Sequence, residues 1–391
     1  MKYWKSYVER QKPEYLRTTI PPDVDADMIV VIPCYHEPSL SETLNSLRAG
    51  DRPDANVLII IVINSGVLAA EEVIKQNRLS YDEVLHFAIR YHESGFDFMP
   101  LLFEGLPRKH AGVGLARKIG MDLAVEHFLR KEKLRGVIVS LDADCTVTSN
   151  FLTTIWSTFS RDKSLNATIH DFYHRVEEES PIAESAARQY EAYIRYFRSM
   201  LQYMGFPYYW HTIGSAFAVS ADAYVSVGGM GRQQGGEDFY FLQKIFALGH
   251  ILELKEARVF PMARLSGRVP FGTGPSLQKI IEDTDGNKRA YSERSFQVVK
   301  QLFDMKDDFF GKDGHMVERM VTSLDPSLQQ FLNKIDFPLL ISDCNGNCAS
   351  LSTFRKRFFH HFNAFRIIKY LNQVHPDPFP YESFAALIDK Y

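Results

Sequence analysis

Several common features are missing from this sequence, and each absence removes a class of protein. No run of about 18 or more uninterrupted apolar residues occurs, so no membrane-spanning helix is expected. The opening segment 1–10 alternates aromatic and charged residues and lacks the apolar core of a secretory signal. Cysteine is scarce: 391 residues contain four (Cys34, Cys145, Cys344, Cys348), too few and too scattered for a disulfide framework. Cys344 and Cys348 have no second ligand pair at zinc spacing, so no metal is expected there. Excess charge is also absent, and a formal net charge of −3 gives no reason to expect nucleic acid as a partner. There is no internal repeat and no low-complexity tract. A reducing, cytoplasmic setting is the expectation, with attachment at the inner face of a membrane left open by one segment discussed below.

What remains is an ordinary globular composition, 45% hydrophobic and 24% charged. Three short apolar runs read as buried strands: 28–32, stopping at Pro33; 57–63, ending in Asn64-Ser65-Gly66; and 136–141, ending at Asp142. Helices are expected between them at 39–47, 68–76 and 112–129. The stretch 77–103 is less regular and reads as an insertion or a lid-like excursion. A βαβ-built, mostly parallel sheet follows from this alternation, and in such sheets ligands sit beyond the carboxyl ends of the strands. Further on come an aromatic helix at 186–204, a strand at 216–219, helices at 221–227 and 238–248, and a mainly helical extension over 276–391.

Four segments carry candidate chemistry. At a strand end, Asp142-Ala-Asp144 puts two carboxylates on one side of an extended chain. Close carboxylates need a cation or a proton between them, and a hard divalent ion bridging to phosphate meets that need. Capping of a helix near Ser149 is the competing explanation. Gly236-Glu237-Asp238 follows a glycine-rich run, and an acid there can take a proton from an acceptor hydroxyl or simply cap its helix. Segment 109–118, with Gly112, Gly114 and Arg117, opens a helix in a form suited to anions. Arg264 and Arg268, among glycines and hydroxyls, suit a phosphate or merely a surface turn.

In this order the segments resemble the family 2 glycosyltransferases of GT-A fold. The resemblance rests on 30–38 (VVIPCYHEP), the strand ending Asn64-Ser65-Gly66, 112–117 (GVGLAR), 141–144 (LDAD), 214–219 (GSAFAV) and 236–238 (GED). It implies a Rossmann-like GT-A catalytic domain over 1–275 and a helical extension over 276–391. By this resemblance the enzyme is of hexosyltransferase type, with a UDP- or GDP-linked sugar as donor and Mn²⁺ or Mg²⁺ as cofactor. Pro33, Tyr35, Glu37, Asn64, Arg117, Asp142 and Arg268 become nucleotide-sugar contacts, Asp142 and Asp144 metal ligands, and Asp238, with Glu237 beside it, the catalytic base. Asn64 stands where the family usually has an acid that reads the base, Lys118 replaces an asparagine after Arg117, and the histidine that often completes the metal site is missing from 264–274. His250 is the nearest downstream histidine.

Some features stay open. The aromatic helix 186–204 reads as core or as an acceptor-facing wall. Segment 354–371 is basic and amphipathic, suiting either an anionic membrane bearing a lipid-linked acceptor or packing of its aromatic face. A glycan is the other acceptor class. A nucleotidyltransferase-like enzyme and an inactive sugar-nucleotide-binding protein are the alternatives in function.

Overall fold

The computed structural model describes residues 2–11, 18–176, 180–264, 273–282 and 289–383. Elements run α1 (Lys2–Gln11), β1 (Met28–Cys34), α2 (Leu40–Ala49), β2 (Val57–Gly66), α3 (Glu71–Arg90), β3 (Phe96–Leu106), α4 (Val113–Arg130) and β4 (Val137–Ser140). Next are β5 (Thr146–Val147), α5 (Phe151–Arg161), β6 (Ala167–Phe172), β7 (Arg175–Val176), α6 (Pro181–Tyr203), β8 (Phe217–Ser220), α7 (Ala221–Ser226) and α8 (Glu237–Leu248). The chain continues through β9 (Ile251–Phe260), β10 (Met262–Ala263), α9 (Thr273–Glu282), β11 (Arg289–Ala290), α10 (Glu293–Asp304), α11 (Gly314–Val321), α12 (Pro326–Lys334), α13 (Phe337–Gly346), α14 (Leu351–His361), α15 (Ala364–Gln373) and β12 (Glu382–Ser383).

This is an α/β fold whose central sheet is flanked by helices, with a helical carboxyl-terminal region. Two compact units form: 1–180 with 212–276, and 181–211 with 277–391. Residues 181–211, which chain order alone assigns to the first segment, thus pack in the second unit.

In the first unit the sheet order is β3-β2-β1-β4-β8-β6-β9-β5. Pairings of β1 with β2 and β4, and of β2 with β3, are parallel; β8 runs antiparallel to β4 and β6. Every residue of β1 is buried, which explains its unbroken apolar sequence. One face, with Val30, Ile32, Ile59 and Ile61, packs on Leu40 and Leu44 of α2 and Phe151 and Ile155 of α5. On the other face Gly120 of α4 approaches so closely that a Cβ there would lie 2.4 Å from a Val31 methyl.

The expected irregular stretch 77–103 is instead the rest of a 20-residue helix, α3, followed by an 11-residue parallel strand, β3. The buried side of α3 includes Asn77 and Ser80 among its apolar residues, so its stripe is broken in sequence. At the sheet edge, β3 also tolerates Pro100, because one side of an edge strand needs no ladder partner.

In the second unit, 354–371 is two helices, α14 and α15, rather than one. Phe354, Phe358 and Phe362 are fully buried, and Phe358 and Phe362 pack against Phe303. Arg355 pairs with Asp307 at 2.5 Å and Arg357 with Asp343 at 2.8 Å. The aromatic face that the membrane alternative would turn to lipid is therefore filled by the unit's own core, and two of its cations are already paired. The packing alternative is the one observed. Tyr196 of α6 is likewise buried, donating to the carbonyl of Tyr291 at 2.6 Å and packing on Phe296. No described helix is long and apolar enough to cross a membrane.

Candidate active site

The carboxyl ends of β1 and β2 and the segment after β4 meet at one edge of the sheet. They enclose a cavity of about 490 Å³ lined by Pro33, Tyr35, Glu37, Asn64, Asp142 and Asp144, among others. Six of the residues singled out in the sequence thus border one space. Arg108, Gly112, Val113 and Gln234 also line it. Arg268 lies outside the described residues.

Asp142 and Asp144 meet for a different reason than expected. The amide of Cys145 donates to the carbonyl of Asp142 at 3.2 Å, so 142–145 form a turn rather than extended chain. The Thr43 hydroxyl holds the Ala143 carbonyl at 2.7 Å, fixing that turn against α2. Neither aspartate caps α5, whose N-cap position is Asn150.

Behind the cavity wall, Arg117 donates through one amino group to Glu237 and through the other to Asp142. Arg117 is 3% exposed and Glu237 1%. Burial opposes the charge on Arg117, but Asp142, Glu237 and Asp238 outweigh that penalty and raise its pKa above the ordinary guanidinium value. Glycines make the approach possible. A Cβ on Gly214 would sit 2.5 to 2.7 Å from three guanidinium atoms, and one on Gly114 would lie 2.1 Å from the Gln233 carbonyl. The close contact accounts for Gly114 of the 112–117 motif, while Gly112 borders the cavity. Lys118 points elsewhere, pairing with Asp122 at 2.9 Å.

Asp238 stands in the first turn of α8, its Oδ1 accepting from the Phe239 amide at 2.8 Å. Burial pushes it up to about 6; Arg117 opposes the rise, while Glu237 and Asp142 add to it. Asp144 is pushed up to about 7, by burial first and then by Asp142 and Glu37.

Besides Arg117 and Asp142, two further expected nucleotide contacts are already engaged within the protein. Glu37, 3% exposed, accepts a forked interaction from Arg264 at 2.7 and 2.8 Å and the Ser39 amide at 2.9 Å. Arg264, expected as a phosphate ligand, is thereby committed to Glu37 and to the Ser39 hydroxyl at 2.9 Å. Sequence gave no sign of this pair, because 227 positions separate its members. Asn64 donates to the Gly112 carbonyl at 3.0 Å, and its own carbonyl accepts from Asn77 at 3.2 Å. His250 is exposed at the start of β9, whose other end leads to Arg264, so it does not reach the aspartates.

The donor set bordering the cavity suits a hard divalent cation. Asp142 and Asp144 offer oxygen only, and the raised pKa of Asp144 marks a carboxylate whose charge is not fully compensated.

No protein-family profile matches the sequence, and no curated protein does. Solved structures do align with it. The chain is similar to S. aureus TarS. Residues 1–349 of TarS in complex with UDP-GlcNAc align at a TM-score of 0.42 and 11% identity, covering 86% of this chain and 91% of that one. A second structure of the same TarS fragment aligns at a TM-score of 0.40 and 12% identity, with the same coverage.

Proposed function

We propose that this chain is a metal-dependent glycosyltransferase that moves a sugar from a nucleotide-diphosphate sugar to an acceptor hydroxyl. The observation that carries the reading is the double role of Asp142, which borders the cavity beside Asp144 and is held from behind by Arg117, the cation that also faces Glu237 and Asp238. The cavity of about 490 Å³ and a candidate base are thereby tied into one charged assembly.

Asp142 and Asp144 would hold Mn²⁺ or Mg²⁺, which when bound neutralises charge on a departing diphosphate. Pro33, Tyr35 and Asn64 border the space for the nucleoside. Tyr35, 42% exposed, offers a ring face for stacking. Asp238 acts as general base: its carboxylate takes the acceptor O–H proton, and the acceptor oxygen bonds to the anomeric carbon. The bond from that carbon to the diphosphate oxygen breaks, with inversion, and the nucleoside diphosphate leaves. Its raised pKa suits this work, since a stronger base accepts the proton more readily while remaining largely ionised at pH 7. Glu237, sealed behind Arg117, braces the assembly and does not meet substrate. The unit formed by 1–180 with 212–276 would then serve as the catalytic domain.

A thermal-shift screen of UDP- and GDP-linked sugars, UDP-GlcNAc among them, with and without Mn²⁺, tests the reading. A manganese-dependent rise in Tm with one sugar nucleotide is expected. Its absence across the panel would remove the proposal.

A further inference from the structure

We infer that the second unit holds a soft divalent metal site, of the zinc type, built from Asp343, Cys344 and His361. The sequence argues against a metal near Cys344 because no paired ligands stand at zinc spacing. Folding changes that. Asp343 and Cys344 lie near the end of α13, and α14 ends with His361 beside them. One ligand atom from each residue falls within 4.8 Å of the other two.

The chemistry of the trio points to zinc rather than to magnesium or calcium. Thiolate sulfur, imidazole nitrogen and carboxylate oxygen together form a tetrahedral zinc set, whereas the harder ions take oxygen alone. Metal–ligand bonds of about 2.0–2.3 Å place ligand atoms roughly 3.5 Å apart, so small side-chain rotations would close the set.

The surroundings support such a site. Cys344 is fully buried and so shielded from competing solvent, while the side chains of His361 and Asp343 are 29% and 40% exposed and leave a path for an ion. His361 Nε2 lies 2.7 Å from Asp343 Oδ2, so both ligands already face one point. Arg357 donates to the two oxygens of the same carboxylate at 2.9 and 3.1 Å, the outer support that metal-bound carboxylates commonly have. Asn347 Nδ2 adds a contact to Asp343 Oδ1 at 3.1 Å. On binding, the His361 proton moves to Nδ1 so that Nε2 meets the ion in place of its hydrogen bond to Asp343, Cys344 loses its thiol proton to solvent, and water fills the fourth position. No redox partner is needed.

Such a site would fasten the ends of α13 and α14 and contribute to folding rather than to transfer. Cobalt reports on it directly. Titration of the full-length, metal-free protein with Co²⁺ should give a sulfur-to-cobalt charge-transfer band in the near ultraviolet, saturating at one equivalent, with visible bands of tetrahedral intensity that zinc abolishes. Oxygen ligands alone give no sulfur band, and because Cys145 Sγ lies 3.5 Å from Asp144 Oδ1, Cys145→Ser should leave the band in place. Cys344→Ser should remove the band, His361→Gln should weaken Co²⁺ binding at least tenfold, and Cys348→Ser should leave it in place. His361 is partly exposed, so His361→Gln keeps the test valid should Cys344→Ser fail to fold. No thiolate band, or a band that survives in Cys344→Ser or is unweakened in His361→Gln, would overturn the inference.

Discussion

Arg117 and Glu237, 120 positions apart in sequence, form an ion pair almost sealed from solvent. A buried pair of this kind adds little net stability over apolar residues of the same shape, yet removing one partner strands the other charge. Arg117→Met should therefore cost about 3–5 kcal/mol in urea unfolding. Adding Glu237→Gln to that variant should recover part of the loss. Strict additivity of the two substitutions would show that the pair does not interact.

Asp144→Ala should abolish manganese-dependent nucleotide binding, as read by calorimetric titration. With a raised folded pKa of about 7, the Asp144 carboxyl keeps its proton well above the ordinary 3.8. For an acid with a raised pKa, the folded state holds the extra proton below about 7, and that advantage is lost as pH rises through it. The metal-free protein should thus lose stability between about pH 4 and 7, and Asp144→Asn should flatten that loss. Metal binding should weaken as pH falls below about 7, with proton release measurable in buffers of different ionisation enthalpy.

Asp238→Asn should retain donor binding and lose transfer, by about 10²–10⁴-fold if its role is general base. The wild-type kcat/KM should rise through an acid limb near pH 6, because only the deprotonated carboxylate can accept the proton. A profile flat from pH 5 to 8 would count against this assignment.

Gly114→Ala should destabilise the first unit by about 1–3 kcal/mol, since the added methyl meets a backbone carbonyl that cannot rotate away. Thermal denaturation of the purified variant measures it. A change below a few tenths of a kcal/mol would mean that the 233–236 loop yields easily.

Phe358→Ala should cost about 3–5 kcal/mol, because the ring is fully buried among Phe303, Phe337 and Phe354. With that face filled, the wild-type protein should stay in the supernatant when spun with anionic vesicles at low salt. Cosedimentation would instead show that the exposed sides of α14 and α15 suffice for attachment.

Strands β1, β2 and β4 were legible in the sequence because burial on both faces leaves an unbroken apolar run. The ends of β1 and β2 and the turn after β4 then supplied most of the cavity wall. Less visible were elements with mixed faces. In β3 and β9, buried and exposed residues share the strand, and the buried side of α3 carries Asn77 and Ser80, so neither period stands out. Site residues were found where they follow a strand end. Their partners were not: Arg264 reaches Glu37, and Arg117 reaches Glu237, only through tertiary packing. The same holds for Asp343, Cys344 and His361, which span too irregular an interval to read as a ligand pattern.

Gly214 brings one last consequence. Its missing side chain is the space the Arg117 guanidinium occupies, and that guanidinium serves Asp142 and Glu237 together. Positions 117, 142, 214 and 237 therefore mutate as a single allele in effect, with strong epistasis between sites that do not all touch. Scanning them one at a time would make each look immutable. A library varied at all four together should contain working combinations, such as a shorter cation opposite a larger residue at 214, that single-site scans miss.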